Sequence, residues 1–257
     1  MVYGTFIESV LAEGRLTFSR EELISRGVSP ELVKRTISRY TQLGKLYSIR
    51  QGFYAIVTPE FSTQNRVPEV LFIDDLMKYL RIPYYVSLLS AAASHGAGHQ
   101  QPMSFFVTQS GTKIRDIETG KYLIDFTLSQ HWESESVMSL KTRTGYIQVS
   151  TPEATIFDLV ISQKKIGLGR SIEVIQELTD IIQKSKMRSL VRFYPVAIRQ
   201  RVGYILDFIG VDSTIIESSL KSEILHKVPF SLSKPRVGTA DEKWKVIMNE
   251  TITTDIL

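Results

Sequence analysis

The chain predicts an α+β protein in two parts, a small N-terminal module of helices with one hairpin and then a larger mixed domain. Three observations carry the prediction. Residues 20–43, REELISRGVSPELVKRTISRYTQL, hold a short helix, a tight turn and a capped second helix. LYSIRQGFYAI follows at 46–56 as two strands around an Arg50-Gln51-Gly52 turn. Beyond residue 69 the pattern runs helix, several strands, then several helices, the order of an α+β domain rather than of alternating βαβ units.

Phe6, Ile7, Val10 and Leu11 recur at helical spacing and predict a first helix over 3–13, ended near Gly14. Thr17-Phe18 predicts a short strand. Ser19 with Glu22 three residues on is a capping-box pattern, so a second helix starts at 20 and stops at Gly27. Ser29-Pro30 restarts the chain as a helix: serine caps free amides, and proline lacks the N–H that would be orphaned there. Val33, Ile37 and Tyr40 line one side of this third helix, with Leu32, Thr36 and Leu43 widening the apolar stripe. Lys34, Arg35, Ser38 and Arg39 fall on the other side. Such a helix, followed by a basic hairpin, has the make-up of a winged helix-turn-helix.

In that arrangement the third helix enters the major groove. Arginine offers bidentate bonds to guanine, whereas lysine and serine hold phosphates. The candidate DNA contacts are Ser29, Lys34, Arg35, Ser38 and Arg39 on the helix, with Arg50, Gln51 and Tyr54 on the wing. The module spans 1–58. TPEFSTQNRVP at 58–68 is polar with a proline near each end, and the second domain runs 69–257.

Within that domain Val70, Leu71, Ile73, Met77 and Leu80 predict a helix ending before Pro83. YYVSLLSAAASHG at 84–96 has small residues that let a helix pack closely before Gly96 breaks it. Strands are expected at 104–109, 113–117, 122–126 and 146–150, and helices at 152–162, 171–184 and 199–210. SLSKPRVGTADEK, near the end, reads as a loop or flexible tail.

Composition bounds the function classes. Over 257 residues, 43% hydrophobic and 23% charged content is globular rather than disordered. The chain has no cysteine, which excludes disulfides and thiolate metal sites. MVYGTFIESV reads as neither a secretory signal nor a transit peptide, and a cytoplasmic protein is expected. The net charge of +4 is small, but residues 184–201 carry Lys184, Lys186, Arg188, Arg192, Arg199 and Arg201 without an acid. That run is either a solvated face or a surface for phosphate or a partner.

Catalytic patterns are weak. His95 and His99 are separated by glycines that break a helix, and His131 and His226 lack evident partners. QSGTK at 109–113 lacks the first glycine of a phosphate loop and reads as a turn. Asp74-Asp75 reads as part of a solvated helix face. The chain is expected not to be an enzyme, with no cofactor and no metal.

With these motifs placed, the chain resembles the AbiEi family of antitoxins and transcriptional regulators of type IV toxin–antitoxin systems. The likeness rests on the module through GFYAI, then YYVSLLSAAASHG, TPEATIFDLV and RQRVGYILDFIG in that order. The family commonly reads close to TPERTLLDL in the third motif, where this chain has Ala154, so no role is carried onto it. The resemblance implies that the winged helix binds inverted repeats upstream of a two-gene operon and represses it; a dimer on DNA is expected because one recognition helix reads only a few base pairs. It also implies that the second domain counteracts a nucleotidyltransferase-like toxin without needing a stable complex; the charge run, rather than the resemblance, makes 184–201 the candidate surface there. The alternative is a plain winged-helix regulator whose second domain senses a ligand or dimerises. An enzyme using Asp74, Asp75 or Asp158 is the third reading.

Overall fold

The computed structural model describes residues 3–64, 66–98, 102–129 and 132–252. His99 and His131 lie outside them. The chain is mixed α+β and forms two compact units, neither continuous in sequence. One comprises 1–85, 108–128 and 139–148, and the other 86–107, 129–138 and 149–257.

The first unit opens with α1 (Tyr3–Ala12), β1 (Thr17–Ser19), α2 (Arg20–Ser25) and α3 (Pro30–Gln42). The hairpin β2 (Leu46–Arg50) and β3 (Phe53–Ile56) completes a three-stranded antiparallel sheet in the order β1-β3-β2. The expected caps form. Ser19 Oγ accepts from Glu22 N–H while the Glu22 carboxylate takes the Ser19 N–H, closing the capping box. Ser29 Oγ accepts from Leu32 N–H at 3.4 Å. Each cap contributes about 1 kcal/mol. The core of Phe6, Val10, Phe18, Leu23, Val33, Ile37, Leu46 and Ile56 contributes more, each side chain being worth about 1.5–3 kcal/mol relative to exposure. The apolar stripe of α3 is narrower than its sequence predicts. Leu32 and Leu43 are 54% and 58% exposed, because only Val33 and Ile37 point squarely at that core.

After the hairpin, α4 (Ile73–Leu80) stops at Arg81, which adopts the left-handed conformation. Asp74 and Asp75 do not form a solvated face. Asp74 accepts from the Tyr84 hydroxyl at 3.0 Å and pairs with Lys78 at 2.6 Å. Asp75 accepts from Thr17 Oγ1 at 2.7 Å and faces Arg15 at 3.7 Å.

Then come β4 (Tyr84–Val86), α5 (Leu88–Ser94), β5 (Phe105–Gln109), β6 (Ile117–Glu118), β7 (Leu123–Leu128), β8 (Val137–Thr142) and β9 (Gly145–Ser150). Six strands lie in the order β6-β7-β5-β4-β9-β8, with β4 parallel to β9. The strand expected at 113–117 shrinks to two residues, while β4 and β8 form without having been expected.

The second unit is mainly helical: α6 (Pro152–Ile161), α7 (Gln163–Ile166), α8 (Leu168–Thr179), α9 (Lys184–Leu190), α10 (Val196–Phe208) and α11 (Thr214–Leu220). Thr151 caps α6 through Ala154 N–H, and Ala154 itself is fully buried. The segment from 171 to 184 is not one helix, since α8 ends at Thr179 and α9 begins at Lys184. SLSKPRVGTADEK, at 231–243, holds no helix or named strand and is a loop, as expected, but it is anchored at both ends. β10 (Val228–Pro229) and β11 (Val246–Ile247) pair in parallel, and Phe230, Trp244 and Val246 are buried in the helical core. Gly203 makes that fit possible: a Cβ there would overlap the Trp244 ring.

Candidate nucleic-acid interface

The cations of the first unit divide into two sets. Arg15 bonds Glu22 at 2.8 Å and lies near Glu13 and Asp75, and Arg26 pairs with Glu13. Burial opposes the Arg15 charge, but the surrounding carboxylates outweigh it and hold its pKa above the ordinary value. Lys34, Arg35 and Arg39 are exposed along α3 with Ser38, because these positions point away from Val33 and Ile37. Among the described residues none of the three forms an ion pair, and neither does Arg50. Ser29, at the start of the helix, spends its oxygen on the cap.

The hairpin turn is held from outside the hairpin. Gly52 has φ +80°, a backbone conformation that strains other residues, and its carbonyl accepts from Arg20 N–H at 2.8 Å. The Tyr79 hydroxyl of α4 lies 2.9 Å from where a Gly52 Cβ would stand, and its ring stacks on Phe53 at 5.2 Å. Gln51 is exposed and Arg50 half-buried. Tyr54 is half-buried too, its ring 5.7 Å from Phe18 and packed on the module's core. Tyr79 was missed in sequence because nothing in helical periodicity links residue 79 to residue 52.

The basic stretch of the second unit is taken apart by the fold. Arg199 and Arg201 are only 6% and 5% exposed and do not belong to a basic surface. Arg199 donates to the carbonyls of Tyr194 and Ser219 and pairs with Glu223 at 2.6 Å. Arg201 donates to the Pro229 carbonyl at 2.8 Å, and burial lowers its pKa. Lys184 pairs with Asp212 at 2.8 Å, and that contact with Thr214 holds the exposed Asp212 carboxyl well below the usual range. Lys186 is half-buried. Arg188 and Arg192 remain exposed, bordering a hollow of about 340 Å³ lined also by Thr214, Ser218 and Ser219.

Two further buried polar groups escaped the sequence. Glu153 is 1% exposed and accepts from Gln183 N–H at 2.6 Å. Gln200, also 1% exposed, donates to the carbonyls of His226 and Trp244. Both tie helices to the segments that follow. His95 is likewise engaged, through its ring nitrogen and the Ser150 carbonyl at 2.7 Å. Among the described residues no group of three or more metal-ligating side chains is placed to hold an ion, and no helix is long and apolar enough to cross a membrane.

These features define a mixed α+β protein with cations along one helix that are unpaired among the described residues, and a helical C-terminal unit tied together by buried polar side chains. Residues 85–208 match the family described as the AbiEi antitoxin C-terminal domain, which supports an antitoxin of the AbiEi family. The match takes in the TPEATIFDLV motif and α10. The crystal structure of the RV2827C protein from Mycobacterium tuberculosis shares the fold, with a TM-score of 0.70 and 14% sequence identity. The correspondence covers 94% of this chain and 89% of that one, and at this identity it speaks to the fold alone. No curated protein matches the chain.

Proposed function

We propose that the chain is an autoregulating antitoxin whose residues 1–58 act as a winged helix-turn-helix on operator DNA. The observation that carries this reading is the exposed row of Lys34, Arg35 and Arg39, which forms no ion pair among the described residues and is followed in the chain by a turn bearing Arg50 and Gln51. Phosphates compete poorly for a cation already held by a carboxylate, so freedom from ion pairs is what a DNA-facing side chain requires. Arg35 and Arg39 read base edges, while Lys34, Ser38 and the wing grip the backbone. One such helix reads only a few base pairs, so two copies occupy inverted repeats. The match of residues 85–208 to an antitoxin family supports the antitoxin half, in which residues 69–257 counteract a nucleotidyltransferase-like toxin. Arg188 and Arg192, with Lys184 and Lys186 beside them, are the proposed surface there.

The test is binding of the full chain to the promoter fragment upstream of its own coding sequence. Arg35→Ala with Arg39→Ala weakens binding by about 3 kcal/mol, on the order of 100-fold, with the loss centred on particular base pairs. Unchanged gel shifts would remove the DNA-reading face from α3. In cells expressing the neighbouring toxin, Arg188→Glu with Arg192→Glu abolishes rescue while repression of the promoter persists. Loss of both together would instead place antitoxicity in repression.

A further inference from the structure

Arg188 and Arg192 are four residues apart, the first on α9 and the second in the 3-10 turn Val191–Phe193 that follows it. Both are exposed, and both border the hollow of about 340 Å³ that α11 lines with Thr214, Ser218 and Ser219. Two like charges beside one hollow repel unless something negative stands between them. Among the described residues neither arginine forms an ion pair, and the lining of the hollow holds no acid. The acids nearest in sequence are engaged elsewhere. Asp212 takes Lys184 at 2.8 Å and the Thr214 hydroxyl at 2.7 Å, and Glu217 faces Lys243 at 3.2 Å.

The hydroxyls of the lining narrow the choice of guest. Thr214 gives its proton to Asp212, and Ser219 gives its own to the Ile216 carbonyl at 2.6 Å. Ser218 is exposed and has no hydrogen-bond partner among the described residues, so its proton is left for a ligand. The wall is held in place from behind, because the buried Arg199 donates to the Ser219 carbonyl at 2.6 Å and pairs with Glu223. A carboxylate brings one charge and two oxygens in a plane, which a single arginine fork satisfies. A phosphate monoester brings a charge of about −1.5 to −2 and three acceptor oxygens, enough for both guanidiniums and Ser218. We propose that this hollow binds a small organic phosphate monoester, its phosphate gripped by Arg188 and Arg192 and its third oxygen by the Ser218 hydroxyl. Pockets for small molecules run from roughly 300 to 1,000 Å³. This one stands at the lower end, with room for a sugar-sized skeleton against Val191 and Ile215 and none for a duplex or a folded partner. The inference rests on the reading of these arginines as the antitoxin surface for its purpose, though not for its geometry.

Ribose 5-phosphate titrated into the full chain, followed by phosphorus NMR, tests this. The ester binds, unphosphorylated ribose does not displace it, and inorganic phosphate displaces it only at higher concentration. Arg188→Ala and Arg192→Ala each weaken binding about 10-fold, and Ser218→Ala about 3-fold. Arg192→Lys keeps the charge without the fork and loses most of what the alanine variant loses. Lys164→Ala, which removes an exposed cation of the same unit outside the hollow, leaves the affinity unchanged. The ester takes its second proton near pH 6, so affinity falls about 4-fold between about pH 7.5 and about pH 5.5. That profile is read on the unaltered chain and decides the matter even where a variant fails to fold.

A flat pH profile would overturn the proposal, as would an equal loss in Lys164→Ala or displacement by succinate as effective as by the ester. Equal affinity for inorganic phosphate would overturn the organic ligand in favour of the free ion. The antitoxin reading fails differently. If the unaltered chain binds no ester while Arg188→Glu with Arg192→Glu still abolishes rescue, the ligand falls and the surface stands. If the alanine variants lose the ester while the glutamate pair still rescues, the ligand site stands and its part in countering the toxin falls.

Discussion

Two stretches of this chain look alike in sequence and have opposite fates. Residues 34–39 and 184–201 are both basic and both helical in large part. Along α3 the cations stay exposed and, among the described residues, unpaired. In the second unit Arg199 and Arg201 are buried against carbonyls and Lys184 is paired, while Arg188 and Arg192 stay exposed. The difference lies in what the rest of the fold brings to each charge. α3 offers its outer side to solvent, whereas α10 is surrounded by segments whose carbonyls need donors. A basic run marks a binding face only where nothing else in the chain claims its protons.

The largest expected effect tests the buried side of this contrast. Arg199→Ala leaves the Tyr194 and Ser219 carbonyls and the Glu223 carboxylate without their donor, and it lowers the unfolding free energy by about 3 kcal/mol. Urea denaturation reads this. Arg35→Ala under the same assay changes stability by less than about 0.5 kcal/mol. If the two cost the same, the distinction between structural and free cations fails.

A smaller effect tests how the free cations are held. Tyr79→Ala removes the ring behind the wing turn and lowers promoter affinity by about 1 kcal/mol. In an Arg50→Ala background the same change adds nothing, because the proposed DNA contact of that turn is already gone. Tyr79→Phe keeps the stack and the affinity. Full additivity of the two losses would separate Tyr79 from the wing.

The smallest effect concerns the paired cations of the first unit. Burial tends to raise the Glu22 carboxyl, but Arg15 and the Ser19 cap outweigh it and hold its pKa below the ordinary 4.5. A depressed carboxyl contributes stability above its unfolded pKa and loses it as pH falls through the folded value. Arg15→Ala therefore costs more at pH 7 than at pH 3, by under about 1 kcal/mol for a half-exposed pair. Thermal melts at the two pH values measure it, and an equal cost at both would show the pair to be electrostatically idle.

Local chemistry made much of the first 57 residues legible. The Ser19–Glu22 box joins residues three apart and the Ser29-Pro30 start joins neighbours, so local sequence alone located both helices. β8 escaped because its residues alternate only between exposed and half-buried, leaving no apolar period to read. β4 escaped because only Ser87 separates YYV from the apolar residues of α5. The sheltering of Asp74 and Asp75 was hidden for another reason, since their partners Tyr84 and Thr17 lie ten and fifty-eight residues away.

By itself, then, the sequence determined the helix starts, the hairpin turn, the exposed side of α3 and the ordered motifs of an antitoxin family. These depend on contacts within a few residues, or on periodicity that survives without knowledge of neighbours. Only the tertiary structure decided which arginines were free, that Leu43 is left exposed and that Trp244 fills the space above Gly203. Burial and ion pairing are set by residues far apart in the chain, and such proximity leaves no mark on local spacing.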